Sequence, residues 1–187
     1  KHWLYWNIIL LGLKIIVQGV GSVGESLVSH LCDDGADVYI NDIDLERLND
    51  ISEKYNVKTI NIEDMYDFNA DIYAPCALGA TVNDITINKF KCSIIAGAAN
   101  NILLNPERHG VELMKRNILF APDYVINAGG LINVASEING YDEDQVRCET
   151  EKIYDTLLNI YKISDIENIS TSHASSKLAK QIISEKN

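Results

Sequence analysis

The chain has 187 residues, 47% hydrophobic and 23% charged, an ordinary balance for a folded globular protein with one core. Its formal net charge of −11 repels phosphate backbones and anionic lipid heads, so neither nucleic acid nor a membrane surface is an expected partner. Four cysteines and four histidines are scattered without a C-x-x-C pair or an H-E-x-x-H, which points to reduced thiols in a cytoplasmic protein and away from a metal centre.

The chain opens on an aromatic and apolar run, KHWLYWNIILLGLKIIV. No small-residue cleavage site follows it, and Lys14 interrupts it well short of the roughly 20 residues that a membrane span requires. Residues 1–10 are therefore expected to pack back over the helical C-terminal region or to join two copies of the chain in a homo-oligomer, because an apolar patch of that size is rarely left in water. Beyond them, strands are expected at residues 14–18, 37–41, 58–60, 72–74, 93–96 and 118–121, several apolar on both faces as buried parallel strands are. Helical spacing separates them at 23–33, 45–55 and 106–116. Alternation of this kind predicts an α/β fold built on a doubly wound parallel sheet. From Gly129 onward the strand signal ends. Leu131, Val134, Ala135 and Ile138 have helical spacing, 142–161 reads as a long helix with Val146, Ile153, Leu157 and Ile160 on one face, and 172–184 as a last helix. Residues 11–187 thus parse as one domain with a helical C-terminal extension.

Between the first strand and first helix stands Gly19-Val20-Gly21-Ser22-Val23-Gly24, a G-x-G-x-x-G. Alone the pattern is weak; between a strand and an amphipathic helix (Val23, Leu27, Leu31) it is the phosphate-binding turn of a Rossmann-type domain. The first glycine permits the tight turn, the second lets a pyrophosphate approach the backbone, and the third brings the helix close to the strand. The helix N-terminus offers free N–H groups to the phosphates. An acid should follow about 20 residues on, at the end of the second strand, and VYINDID places Asp42 there. Its carboxylate would accept from the adenosine ribose hydroxyls and repel a 2′-phosphate. Asp44 and Glu46 add negative charge, and the nearest cation, Arg47, is five residues further, so NAD is expected over NADP.

Three further stretches, APCALGA (74–80), AGAANN (96–101) and APDYVINAGGLINVASE (121–137), each follow an expected strand and combine small residues with asparagines. They allow close backbone approach and supply amides to a ribose or a carboxamide. Together with VQGVGSVGESLVSHL and ISTSHASSKLAKQI they resemble the cofactor domain of the glutamate/leucine/phenylalanine/valine dehydrogenases, nearest the leucine, valine and phenylalanine branch, from about Leu11 to the C-terminus.

That resemblance implies oxidative deamination of an L-amino acid to a 2-oxo acid and ammonium with NAD+. It implies that Gly19, Gly21, Ser22 and Val23 hold the pyrophosphate and Asp42 the ribose. Cys76, Ala77 and Leu78 would line the cofactor groove, and Ala98, Asn100 and Asn127 would reach the nicotinamide. Leu131 and Val134 would line the substrate side-chain pocket, their aliphatic character hinting at branched-chain substrates. Cys76 is expected to pack, not to do redox chemistry. Family members also carry an N-terminal domain with the lysines and aspartate of acid–base catalysis, which has no counterpart in these residues. The chain alone is therefore expected to be inactive, catalysis needing two domains that close on substrate. The alternatives are a compact reductase, for which no Y-x-x-x-K pair is present, and a non-enzymatic dinucleotide-binding or remnant scaffold module.

Overall fold

The structure is a computed structural model that describes residues 10–138 and 140–185. The expectations for the apolar N-terminus rest on residues 1–9 and lie outside the described residues. At the centre of the sheet, β1 (Lys14–Gln18) runs between β2 (Asp37–Asn41) and β4 (Ile72–Pro75). β3 (Lys58–Thr59) lies outside β2, and β5 (Ile94–Ile95) and β6 (Leu119–Phe120) lie outside β4. Every pairing is parallel, in the order β3-β2-β1-β4-β5-β6.

Period-two alternation along β1 builds a core on each face. Ile15 and Val17 join Val28, Leu31, Leu48 and Ile51 beneath α1 (Ser22–Asp33) and α2 (Leu45–Tyr55). Ile16 points the other way, to Met65 of α3 (Ile62–Met65), Tyr73, Ile95, Phe120 and Leu113 of α4 (Pro106–Lys115). The rest of the chain is helical: α5 (Asp123–Ile126), α6 (Gly129–Ile138), α7 (Glu143–Glu167) and α8 (Thr171–Glu185). α8 packs on α7 and reaches α4. There Gly110 permits the approach, since a Cβ on it would stand 2.7 Å from Ser172 Oγ. No helix among the described residues is long and apolar enough to cross a membrane.

Local signals set the helix ends. Asp44 accepts from Arg47 N (3.1 Å), Asn105 from Arg108 N (3.0 Å) and Asp142 from Gln145 N (3.1 Å), the side-chain cap that N-termini prefer. Asn56 and Asn168, at φ 52° and 53°, close α2 and α7 in the left-handed conformation that asparagine tolerates.

Several boundaries differ from the sequence expectation. The outer strands are two-residue ladders, not three or four. Hydrogen bonding nevertheless continues past their ends, with Ile60 N on Ile40 O (2.9 Å), Ala96 N on Tyr73 O (3.1 Å) and Ala121 N on Ile95 O (2.9 Å). α7 runs six residues beyond Tyr161, to the Asn168 cap. α3 and α5 are single turns too short for periodicity to mark. On α1 the buried face is Gly24, Val28 and Leu31; Leu27 is half-buried, and Val23 is 59% exposed rather than inward. The cause is Gly24, which must face the strand and turns the helix by one position relative to the expected stripe.

Candidate functional site

Register in the central strands decides where the loops meet. Gln18 stands opposite both Asn41 and Pro75, so Gly19, Asp42 and Cys76 leave the sheet at one level on its carboxyl edge. Gly19 N donates to Asn41 O and Cys76 N to Gln18 O, each at 2.7 Å. The strand order reverses between β1 and β4, and open α/β sheets take their ligands in the crevice that such a reversal leaves.

The three glycines of the turn are there for different reasons. Gly19 has φ +93°, and a Cβ on it would collide with Ala77, 2.8 Å from the Ala77 nitrogen, so the loops after β1 and β4 are in contact. A Cβ on Gly24 would run into the carbonyl oxygen of Gly19, 2.9 Å from its carbon. Gly21 differs. Its φ is −66°, and a Cβ there would meet only Arg47 Nη1, at 4.0 Å. Nothing within the fold demands glycine at this position. The free space it leaves opens on the first turn of α1, where no side chain caps the backbone N–H groups of the turn. Ser22 and Val23 are exposed beside it. A group that brings its own oxygens to this turn fits the cradle, and a phosphate is such a group.

Asp42 is half-buried at the end of β2. Its Oδ2 accepts from Val20 N at 2.7 Å and its Oδ1 from Asp44 N at 3.0 Å. It fastens the glycine turn to the second strand while each oxygen retains a lone pair for a hydroxyl donor. A cleft of about 590 Å³ opens between α1 and α2, lined by Val20, Gly21 and Ser22 on one wall and by Asp44, Arg47 and Lys54 on the other. Lys54 Nζ holds Glu25 at 2.7 Å and keeps that carboxyl below the usual range, so this negative charge of the cleft is paired.

Across the crevice lie Cys76, Ala77 and Leu78. Burial pushes the Cys76 thiol up, which makes it a neutral packing group; Ala77 is exposed and Leu78 is 69% exposed. Further along the edge, the loop after β5 meets α5. Asn127 Nδ2 donates to Asn100 Oδ1 (2.6 Å) and to Ala98 O (3.4 Å). That leaves the Asn100 NH2 as a donor and the Asn127 amide oxygen as an acceptor, the two functions that a carboxamide requires. Leu131 and Val134 lie four and seven residues beyond Asn127 on α6, 74% and 58% exposed.

Two residues of this arrangement had no assigned role in the sequence. Asp123 Oδ2 accepts from Ile102 N (2.8 Å), tying the Asn100 loop to the helix that delivers Asn127. The Pro122-Asp123 pair signals a helix start, but no local pattern points to Ile102. In sequence Arg47 is the nearest cation to Asp42, five residues on; the fold turns it back toward Gly21.

A model of the glutamate/leucine/phenylalanine/valine dehydrogenase family matches residues 6–182. The chain belongs to that family. Among curated relatives, L-tryptophan dehydrogenase of Nostoc punctiforme is 42% identical over 172 residues, 92% of this chain and 49% of that protein. Leucine dehydrogenase of Bacillus cereus is 45% identical over 172 residues, and phenylalanine dehydrogenase of Thermoactinomyces intermedius 44% over 174, each covering 92% of this chain and 47% of the relative. The chain therefore spans about half the length of the curated relatives it matches. The crystal structure of L-tryptophan dehydrogenase from Nostoc punctiforme superposes with a TM-score of 0.91 at 41% identity, covering 94% of this chain and 53% of that one. A hetero-hexameric glutamate dehydrogenase from Thermus thermophilus shares the fold, with a TM-score of 0.74 at 16% identity over 95% of this chain and 47% of its own. The family and the α/β doubly wound sheet agree with the resemblance drawn from the glycine turn and the asparagine loops.

Proposed function

We propose that this chain is the dinucleotide-binding half of an amino-acid dehydrogenase and takes NAD(H) in preference to NADP(H). The observation that carries the reading is Gly21, a glycine that the fold does not need, open above an uncapped helix N-terminus two residues beyond Gly19, which leaves the sheet level with Asp42. Gly19, Gly21, Ser22 and Val23 hold the pyrophosphate through their backbone. Asp42 accepts from the ribose, and its charge opposes a 2′-phosphate. Cys76, Ala77 and Leu78 form the facing wall. Ala98, Asn100 and Asn127 fix the carboxamide and so the face of the ring presented to substrate. When bound, the nicotinamide would supply the acceptor for a hydride from the α-carbon of an L-amino acid, the 2-oxo acid and ammonium being the products.

Leu131 and Val134 offer an aliphatic surface suited to a branched side chain. Acid–base catalysis is typically worth a factor of about 10²–10⁴ and orientation more. We assign both to a second domain, as relatives twice as long suggest, and to an assembly of several copies, so the 187-residue chain alone binds cofactor without turnover. Calorimetric titration of this chain with NADH and NADPH, followed by NAD+ reduction assays with leucine, valine, phenylalanine, tryptophan and glutamate, tests both parts. Tighter binding of NADH with no amino-acid-dependent reduction is expected. Equal or tighter NADPH binding would refute the selectivity, and turnover would refute the division of labour.

A further inference from the structure

The cleft between α1 and α2 presents an electrostatic difficulty. Glu25, Asp44, Glu46 and Asp50 line it against two cations, Arg47 and Lys54, in a chain of net charge −11, yet the ligand proposed for it carries phosphates. Lys54 does not resolve this, because its ammonium is committed to Glu25 at 2.7 Å, an oxygen that Tyr55 OH also approaches at 3.3 Å. Asp44 is committed as well: its Oδ1 caps α2 through Arg47 N.

The Arg47 guanidinium is held only loosely. Its Nη2 stands 3.7 Å from Asp44 Oδ2, beyond hydrogen-bond length, with both side chains about half exposed. Its Nη1 lies 4.0 Å from where a Cβ on Gly21 would sit, so it overhangs the one open position of the glycine turn. A planar fork of five N–H donors matches phosphate oxygens two at a time. The fork and the first turn of α1 face the same free space from opposite walls of the cleft.

We propose that Arg47 is a phosphate ligand of the dinucleotide site, closing over the anion that the glycine turn holds from the other side. The proposal rests on the reading of the cleft as a dinucleotide site. It adds the cation that lets so acidic a surface accept an anionic cofactor. The phosphate has two sources, the pyrophosphate common to NADH, NADPH and ADP-ribose, or the 2′-phosphate that NADPH alone carries.

The test titrates the wild-type chain, Arg47→Ala and Arg47→Lys with NADH, ADP-ribose and NADPH by calorimetry at several KCl concentrations, with thermal melting alongside. Arg47→Ala is expected to weaken NADH and ADP-ribose by about tenfold, with an unchanged melting temperature and a shallower dependence on salt, because one charge-assisted contact is lost. Arg47→Lys should recover part of the loss. A loss confined to NADPH would overturn the placement over the glycine turn, because the 2′-phosphate is not the anion that the turn holds. Binding of all three ligands as in the wild type, or a loss with an unaltered salt dependence, would overturn the proposal. A wild-type chain that binds none of the three would instead overturn the dinucleotide reading and Arg47's role with it.

Discussion

Replacing Gly21 by serine should move stability and binding in opposite directions. Gly21 is the N-cap of α1, with φ −66° and ψ −167°, extended values that serine adopts without strain. Nothing lies closer than 4.0 Å to the added Cβ. Serine at an N-cap is preferred over glycine by a few tenths of a kcal/mol, since its hydroxyl accepts from the first turn. The fold should therefore be unharmed or slightly more stable. For a phosphate the same hydroxyl is an obstacle: it fills the cradle and occupies the N–H groups. Losing two charge-assisted contacts of about 1.5 kcal/mol each weakens binding roughly a hundredfold. Gly24→Ala is the control with the reverse outcome. In an ordinary helix that change stabilises by about 0.8–1.0 kcal/mol. Here the new methyl meets the backbone of Gly19, which cannot move without breaking its bond to Asn41 O, and overpacking of about 2–3 kcal/mol should prevail. The net cost of about 1–2 kcal/mol lowers the melting temperature of a chain of this size by about 2–8 °C. Thermal melting with NADH titration of the two variants reads both signs. A destabilised Gly21→Ser, or one that binds NADH within threefold of wild type, would refute the reasoning.

Two other perturbations probe the fold around the crevice. Asp123→Ala removes the acceptor of Ile102 N and should weaken NADH by about tenfold while leaving ADP-ribose unchanged, because the tie orders only the asparagine end; equal losses for both ligands would show a general disturbance instead. His109 is 2% exposed, its Nδ1 accepts from Asn105 N (3.1 Å), and burial beside Arg108 lowers its pKa from the ordinary 6.5. The unfolded chain then binds the proton more readily, so this contribution to stability is full above about pH 6.5 and is lost as the pH falls toward the native value. His109→Asn retains an acceptor for Asn105 N and should flatten the stability profile between pH 5 and 7; an unchanged slope in denaturant melts would sink the assignment.

What the sequence disclosed, it disclosed through local chemistry. Gly19, Gly24 and Asp42 were readable because a turn, a close helix–strand approach and a strand end each demand a residue type at a fixed spacing. Asn100 and Asn127 stood out as amides in small-residue loops, and the sheet brings them within 2.6 Å of each other. The missing parts depend on long-range geometry. Val23 was expected inward because its spacing with Leu27 and Leu31 is helical, and only the packing of Gly24 on the Gly19 carbonyl decides the rotation that exposes it. The Asp123–Ile102 bond joins residues 21 apart across a strand, and the direction of Arg47 follows from how α2 lies on the sheet. Neither leaves a periodic trace. The β6 ladder is shorter than expected because Ile118 and Ala121 beyond it are buried without pairing in full, and the β5 ladder because Ser93 and Ala96 flank it as an exposed and a half-buried residue.

Helix α6 offers positions that can change without cost to the cores of the sheet. None of its residues is buried, and Leu131 and Val134 project from it into open space. Exposed substitutions away from caps and networks ordinarily shift stability by no more than about 0.5 kcal/mol. If these two positions face the substrate, their side chains can be exchanged for larger or smaller ones while both cores of the sheet stay as they are. The relatives at 42–45% identity to this chain are named for leucine, phenylalanine and tryptophan, and exchanges on the outer face of α6 would leave the cores of the sheet the same in each.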